Sequence, residues 1–168
     1  MRYKLIALLL AFTSCTFANS VNTGHADVSL IKYSTNNSQA NEFFIGIRMD
    51  MQKNWHTYWK NPGDSGGPIK VSWNLPNDVT ISDIYWPTPK LIPYSPLMTY
   101  GYKDFVIFPF KITYEDFNQL KNVSADIDFL ICDDICVPEK ALIDTTFENM
   151  LYSRDLEKWI NKVPDVIL

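Results

Sequence analysis

The chain has 168 residues, with 15 Lys and Arg against 19 Asp and Glu, a formal net charge of −4, so it lacks the basic excess of a nucleic-acid binder. Five Trp, nine Tyr and ten Phe exclude an intrinsically disordered chain and favour a β-rich core. Three cysteines take their meaning from the compartment, which the amino terminus sets.

The first element is a leader. Arg2 and Lys4 precede an unbroken apolar run over residues 5–12, followed by small or polar residues to Ala18, the pattern of a secretory signal peptide over residues 1–18. The run is shorter than the ~20 residues of a membrane-spanning helix. Cleavage after Ala18, with Thr16 and Ala18 as the small residues the peptidase reads, leaves residues 19–168 as one soluble, exported domain, periplasmic in a bacterium. The alternative is a lipobox at Phe12-Thr13-Ser14-Cys15, which would make Cys15 an acylated membrane anchor. Either route removes Cys15 as a free thiol and leaves Cys132 and Cys136, a pair that an oxidising compartment normally bonds. Loss of Arg2 and Lys4 moves the net charge from −4 to −6.

The clearest strand spans residues 43–51, where Phe43, Ile45, Ile47, Met49 and Met51 alternate with Phe44, Gly46, Arg48 and Asp50. Period two means one face in and one face out. Shorter signals of the same kind cover residues 27–33, 69–73, 79–86, 105–114, 124–132 and 141–147. Asn61-Pro62-Gly63-Asp64, Leu75-Pro76-Asn77-Asp78 and the stretch holding Pro87, Pro89, Pro93 and Pro96 read as the turns between them. Such punctuation predicts an all-β fold, an immunoglobulin-like β-sandwich. A short C-terminal helix is expected from about Ser153, its cap, with Leu156, Trp159, Ile160 and Val163 facing the sandwich.

Gly63-Asp64-Ser65-Gly66-Gly67-Pro68 spells the nucleophile motif of chymotrypsin-like serine proteases. That chemistry needs a histidine base and an aspartate delivered from distant segments. The two histidines, His25 and His56, leave no room for the first barrel of such an enzyme, so the stretch reads as a glycine-rich turn. Two thiolates with Met49, Met51 or Met98 would make a soft Cu(I) site, but Met49 and Met51 fit the inward face of a strand and methionine is a common core filler. No four-ligand zinc spacing exists, and no metal or cofactor is expected. Trp55, Tyr58 and Trp59 either line a site or pack core and rim.

Cys132 and Cys136 flank a three-residue turn, Asp133-Asp134-Ile135, tight enough to set the two α-carbons opposite one another within disulfide range. A bridge closing so small a loop constrains the unfolded chain by about 2 kcal/mol, against roughly 3 for a 15-residue loop. It is an inefficient staple, and at a hairpin tip it is open to another protein's thiolate. Spacing alone leaves exchange and structural roles open, as well as a non-catalytic binding domain with a structural bridge. A self-activated nucleophile wants a nearby cation, whereas Asp133 and Asp134 favour the neutral thiol. The reduced pair is therefore expected to stay protonated until a partner docks.

Four segments together resemble a known family: Asn54-Trp55-His56-Thr57-Tyr58-Trp59-Lys60-Asn61-Pro62-Gly63-Asp64-Ser65-Gly66, Tyr85-Trp86-Pro87-Thr88-Pro89, Tyr100-Gly101-Tyr102 and Cys132-Asp133-Asp134-Ile135-Cys136-Val137-Pro138. They are similar to the amino-terminal periplasmic domain of the DsbD/ScsB thiol:disulfide interchange proteins, with cysteine spacing closer to the ScsB type. The resemblance covers roughly residues 28–147. It implies an immunoglobulin-like sandwich whose dithiol takes electrons from a membrane-embedded reductant and passes them to thioredoxin-like periplasmic oxidoreductases, and it touches cytochrome c biogenesis and copper tolerance. On that resemblance Cys132 and Cys136 are the exchange cysteines, Cys136 forms the mixed disulfide, and the loop before Tyr100-Gly101 is a shielding cap. Here the cap carries Leu97, Met98 and Thr99 in place of the family's acidic and aromatic residues, so shielding falls to Met98 or Tyr100. The sequence ends at Leu168 with no membrane domain, which implies a separate reductant.

Overall fold

A computed structural model describes residues 20–34, 41–94 and 96–164; the expected leader and Cys15 lie outside the described residues. In chain order the strands are β1 (Ser20–Asn22), β2 (Ala26–Tyr33), β3 (Glu42–Met51), β4 (His56–Gly63), β5 (Lys70–Asn74) and β6 (Val79–Ile81). There follow β7 (Lys90–Tyr94), β8 (Leu97–Lys103), β9 (Phe105–Tyr114), β10 (Asn122–Cys132), β11 (Cys136–Thr146), β12 (Leu151–Tyr152) and a helix, α1 (Asp155–Ile160). One sheet runs β1-β2-β3-β9-β6, with β12 parallel to β2; the other runs β11-β10-β4-β8-β7, with β5 on β10. The fold is an immunoglobulin-like β-sandwich.

The period-two pattern builds the core. From the first sheet Val28, Leu30, Ile45, Ile47 and Met49 point inward, and from the second Val123, Ala125, Ile127, Phe129 and Ile131, every one at least 96% buried. Their alternate neighbours on β10, among them Asp128 and Leu130, take the outer face, because successive side chains in a strand point to opposite sides. Cys132 falls on that outer face by the same count.

The first sheet's outer face is covered by α1. Leu156 and Trp159 are buried there, while Ile160 is partly buried. Gly46 of β3 makes the approach possible: a Cβ at that position would fall 2.7 Å from Ile107 Cγ2 and 2.9 Å from Leu156 Cδ1. Ser153 caps the helix from one residue further out than expected. Its Oγ accepts from the Asp155 N–H at 3.3 Å, with Arg154 at the cap position itself.

Several boundaries differ from the sequence reading for identifiable reasons. The strand expected over 79–86 stops at Ile81; beyond it the chain keeps only isolated bonds, Ser82 N–H to Lys111 O and Tyr85 N–H to Pro109 O, before Pro87 and Pro89, which lack the ladder donor. Asn61-Pro62-Gly63 is the end of β4 rather than a turn, accommodated by a shift of register between Tyr58 and Gly63. The proline-rich stretch contains a hairpin, β7–β8, with Pro93 on the edge strand opposite Met98. β11 begins at Cys136, five residues before the expected start.

Candidate functional site

β10 and β11 stay in register over their whole length, from Asn122 opposite Thr146 to Cys132 opposite Cys136. The turn between them is closed by the Asp133 N–H donating to Ile135 O at 3.1 Å. The two cysteines at its base form a disulfide, with S–S 2.06 Å and Cα–Cα 4.1 Å. Its two halves differ in access. Cys132 is 1% exposed, whereas Cys136 is exposed, as is Ile135 at the tip.

Two pieces of chain enclose Cys132, β4 and the loop that follows it. His56, the first residue of β4, pairs directly with it, and Tyr58, two residues on and so on the same face, reaches across both sulfurs. The Tyr58 hydroxyl donates to Cys132 Sγ at 2.8 Å and lies 3.3 Å from Cys136 Sγ. The second piece is the loop after β4, whose backbone at Gly66 lies on the Tyr58 ring. A Cβ on Gly66 would sit 2.2 Å from the ring carbons Cε1 and Cζ, and its φ of +89° is one that side chains avoid. The stretch that spells a protease motif is thus the cover of the tyrosine that holds the buried sulfur.

A cavity of about 40 Å³ lies between these pieces, lined by His56, Tyr58, Ser65, Thr99, Asp133, Asp134 and both cysteines. Burial, with Lys103 second, pushes the His56 imidazole below its ordinary pKa of 6.5, against the opposing pull of Asp133, so it is neutral at pH 7. Its ring meets Tyr58 edge-on at 5.3 Å between centroids. Ser65 and His56 share the cavity, but no hydrogen bond joins them among the described residues.

Of the residues singled out from sequence, Tyr58, Thr99, Asp133 and Asp134 gather around the disulfide. Thr99 is 1% exposed and donates to Ile92 O at 3.1 Å. Alternation along β8 sends its neighbours Met98 and Tyr100 to the opposite face. There Tyr100 meets Trp59 edge-on, while the Met98 backbone is bonded through both N–H and C=O to Asp64. Trp55 lies outside the cavity, stacked 3.8 Å from His25, which contacts Glu139 at 2.5 Å; Thr23 donates to the same carboxylate. Met49 and Met51 are core residues. Sequence reasoning missed His56, Ser65 and Gly66 as site residues. The His56–Tyr58 alternation was a usable signal for the first, and nothing local marked the other two.

A model of the family "Thiol:disulfide interchange protein DsbD, N-terminal" matches residues 27–148, most of the chain and the whole of the site. The chain belongs to this family. The similar solved structures include the N-terminal periplasmic domain of ScsB from Proteus mirabilis, with TM-score 0.66 and 20% sequence identity over 86% of this chain. The chain spans 58% of that structure's length. No curated protein matches it in sequence. The family match, together with the Cys132–Cys136 disulfide, supports a thiol:disulfide interchange domain, and among the described residues no helix is long and apolar enough to cross a membrane.

Proposed function

We propose that the protein is an exported, periplasmic thiol–disulfide relay, taking electrons from a membrane-embedded thiol reductant and giving them to thioredoxin-like oxidoreductases through Cys132 and Cys136. The observation that carries this reading is the asymmetry of the bridge, with one sulfur buried under Tyr58 and the other exposed. A staple has no need of such an arrangement. An exchange site does, because attack on one chosen sulfur requires the other to leave.

In the loading step the reductant's thiolate attacks Cys136 Sγ. The Cys132–Cys136 bond breaks, and Cys132 departs as a thiolate toward the Tyr58 hydroxyl, already placed to donate to it. The reductant's second thiolate then attacks its own sulfur in the mixed disulfide, leaving oxidised and releasing Cys136. Two electrons and two protons have entered the pair. In the unloading step the Cys136 thiolate attacks the disulfide of the acceptor, and Cys132 resolves the mixed disulfide, restoring the bridge and releasing a dithiol. Asp133 and Asp134 at the turn disfavour the thiolate between these events, and the protein's reduced state is thereby protected from stray disulfides.

The test is covalent trapping in periplasm. Cys132→Ala leaves the exposed Cys136 without its resolver and should accumulate mixed disulfides with thioredoxin-like proteins, while Cys136→Ala should accumulate few. Absence of any captured protein with either variant contradicts the relay.

A further inference from the structure

A second cavity, of about 260 Å³, opens at the same end of the sandwich as the disulfide. Its floor is aromatic, formed by Tyr102, Phe105 and Trp159. Its rim carries Lys90, Lys103 and Lys162, opposed by the single carboxylate of Asp104. Three ammonium groups against one carboxylate reverse the sign of a protein whose net charge is −4. None of the three lysines has an ion-pair partner among the described residues. Lys162 instead holds its ammonium 3.8 Å from the Trp159 ring centroid.

The walls are tied together. Thr88 donates through its N–H and its hydroxyl to Lys162 O at 2.8 and 2.9 Å, and the buried Tyr102 hydroxyl donates to Pro87 O at 2.7 Å. The register places the cavity relative to the chemistry: Lys103 pairs with His56, His56 with Cys132, and Cys132 with Cys136. Three strand spacings of about 4.8 Å put Lys103 about 14 Å from Cys136. A protein reaching Cys136 therefore meets Asp133 and Asp134 at the sulfur and a basic, aromatic-floored cavity to one side. Patches of opposite sign at a fixed separation set the orientation of a docked partner.

We propose, resting on the exchange reading above, that this cavity receives an acidic, aromatic-bearing segment of the thioredoxin-like acceptor that exchanges with Cys136. Its carboxylates meet Lys90 and Lys162, and its apolar side chain lies on Phe105 and Trp159. About four extended residues separate that segment from the reacting cysteine.

The test uses the whole oxidised protein and two labelled peptides, Ser-Gly-Gly-Gly-Asp-Phe-Asp and the same sequence with Asn for Asp, in fluorescence anisotropy. The acidic peptide should bind about tenfold more tightly. Lys90→Gln with Lys162→Gln should abolish that advantage, as should 1 M salt, where the Debye length falls to about 3 Å. Equal binding of the two peptides, or acidic binding indifferent to the double substitution, overturns the proposal. Phenylacetate binding as tightly as the acidic peptide also overturns it, making the cavity a small-carboxylate site. Exchange is read separately with reduced thioredoxin. Failure to open the bridge defeats the exchange reading, whereas exchange with indifferent peptide binding defeats the docking proposal alone.

Discussion

The Tyr58 hydroxyl is the single side-chain group that reaches both sulfurs of the bridge among the hydrogen bonds of the described residues. It donates to the sulfur that must leave when Cys136 is attacked, and a hydrogen bond to a charged acceptor contributes about 1.5–3 kcal/mol. Tyr58→Phe should therefore slow reduction by a thiol at least about tenfold while leaving the thermal midpoint little changed, which stopped-flow kinetics and calorimetry together would show. Gly66→Ala acts on the same ring from above. A Cβ cannot share space with Tyr58 at φ +89°, so a loss of roughly 1–3 kcal/mol of stability is expected by urea titration. An unchanged midpoint would mean the loop does not hold the ring. His56 supplies a pH dependence of fixed sign. Its folded pKa lies below its ordinary 6.5, so below pH 6.5 the unfolded chain binds a proton that the folded one refuses. This contribution to stability is complete above pH 6.5 and is lost as pH falls through the folded value. Urea midpoints between pH 7.5 and 5 should decline, and His56→Gln should flatten that decline.

At the scale of elements, the β10–β11 hairpin carries a bridge on which the fold is expected not to depend. The loop it closes is so short that reduction removes only about 2 kcal/mol of unfolded-state constraint, and the ladder from Asn122 to Cys132 is complete without it. Reduced protein should keep its near-ultraviolet dichroism and lose no more than this in urea; collapse on reduction would make the bridge a staple. The hairpin was legible in sequence because alternation around Ile127, Phe129 and Ile131 is strong and the turn is marked by its cysteines. β4 and the β7–β8 hairpin were not. Asn61-Pro62-Gly63 has turn chemistry but is carried as an irregularity of a strand, and Pro93 sits on an edge where no N–H is needed. The segment before Tyr100-Gly101 was legible as a neighbour of the cysteine pair, and it lines their cavity through Thr99. Which of its side chains faces the sulfur was not legible, since register decides that, and it selects Thr99 over Met98 and Tyr100.

For the whole molecule, the sandwich serves to set one end of several strands side by side. The end of β10, the start of β4 and the end of β8 converge there, so His56, Lys103 and the disulfide become neighbours from distant parts of the chain. Sequence spacing identified the cysteines and the family's motifs, but not the role of the Gly63-to-Pro68 stretch, whose meaning comes from the ring it covers. Relay function requires the bridge to exchange electrons instead of clamping the hairpin. Its reduction potential, measured by equilibration against glutathione and dithiothreitol buffers with alkylation of the free thiols, tests that directly. A relay requires a value above about −300 mV, whereas a value well below it, resistant to the glutathione pool, would contradict that function.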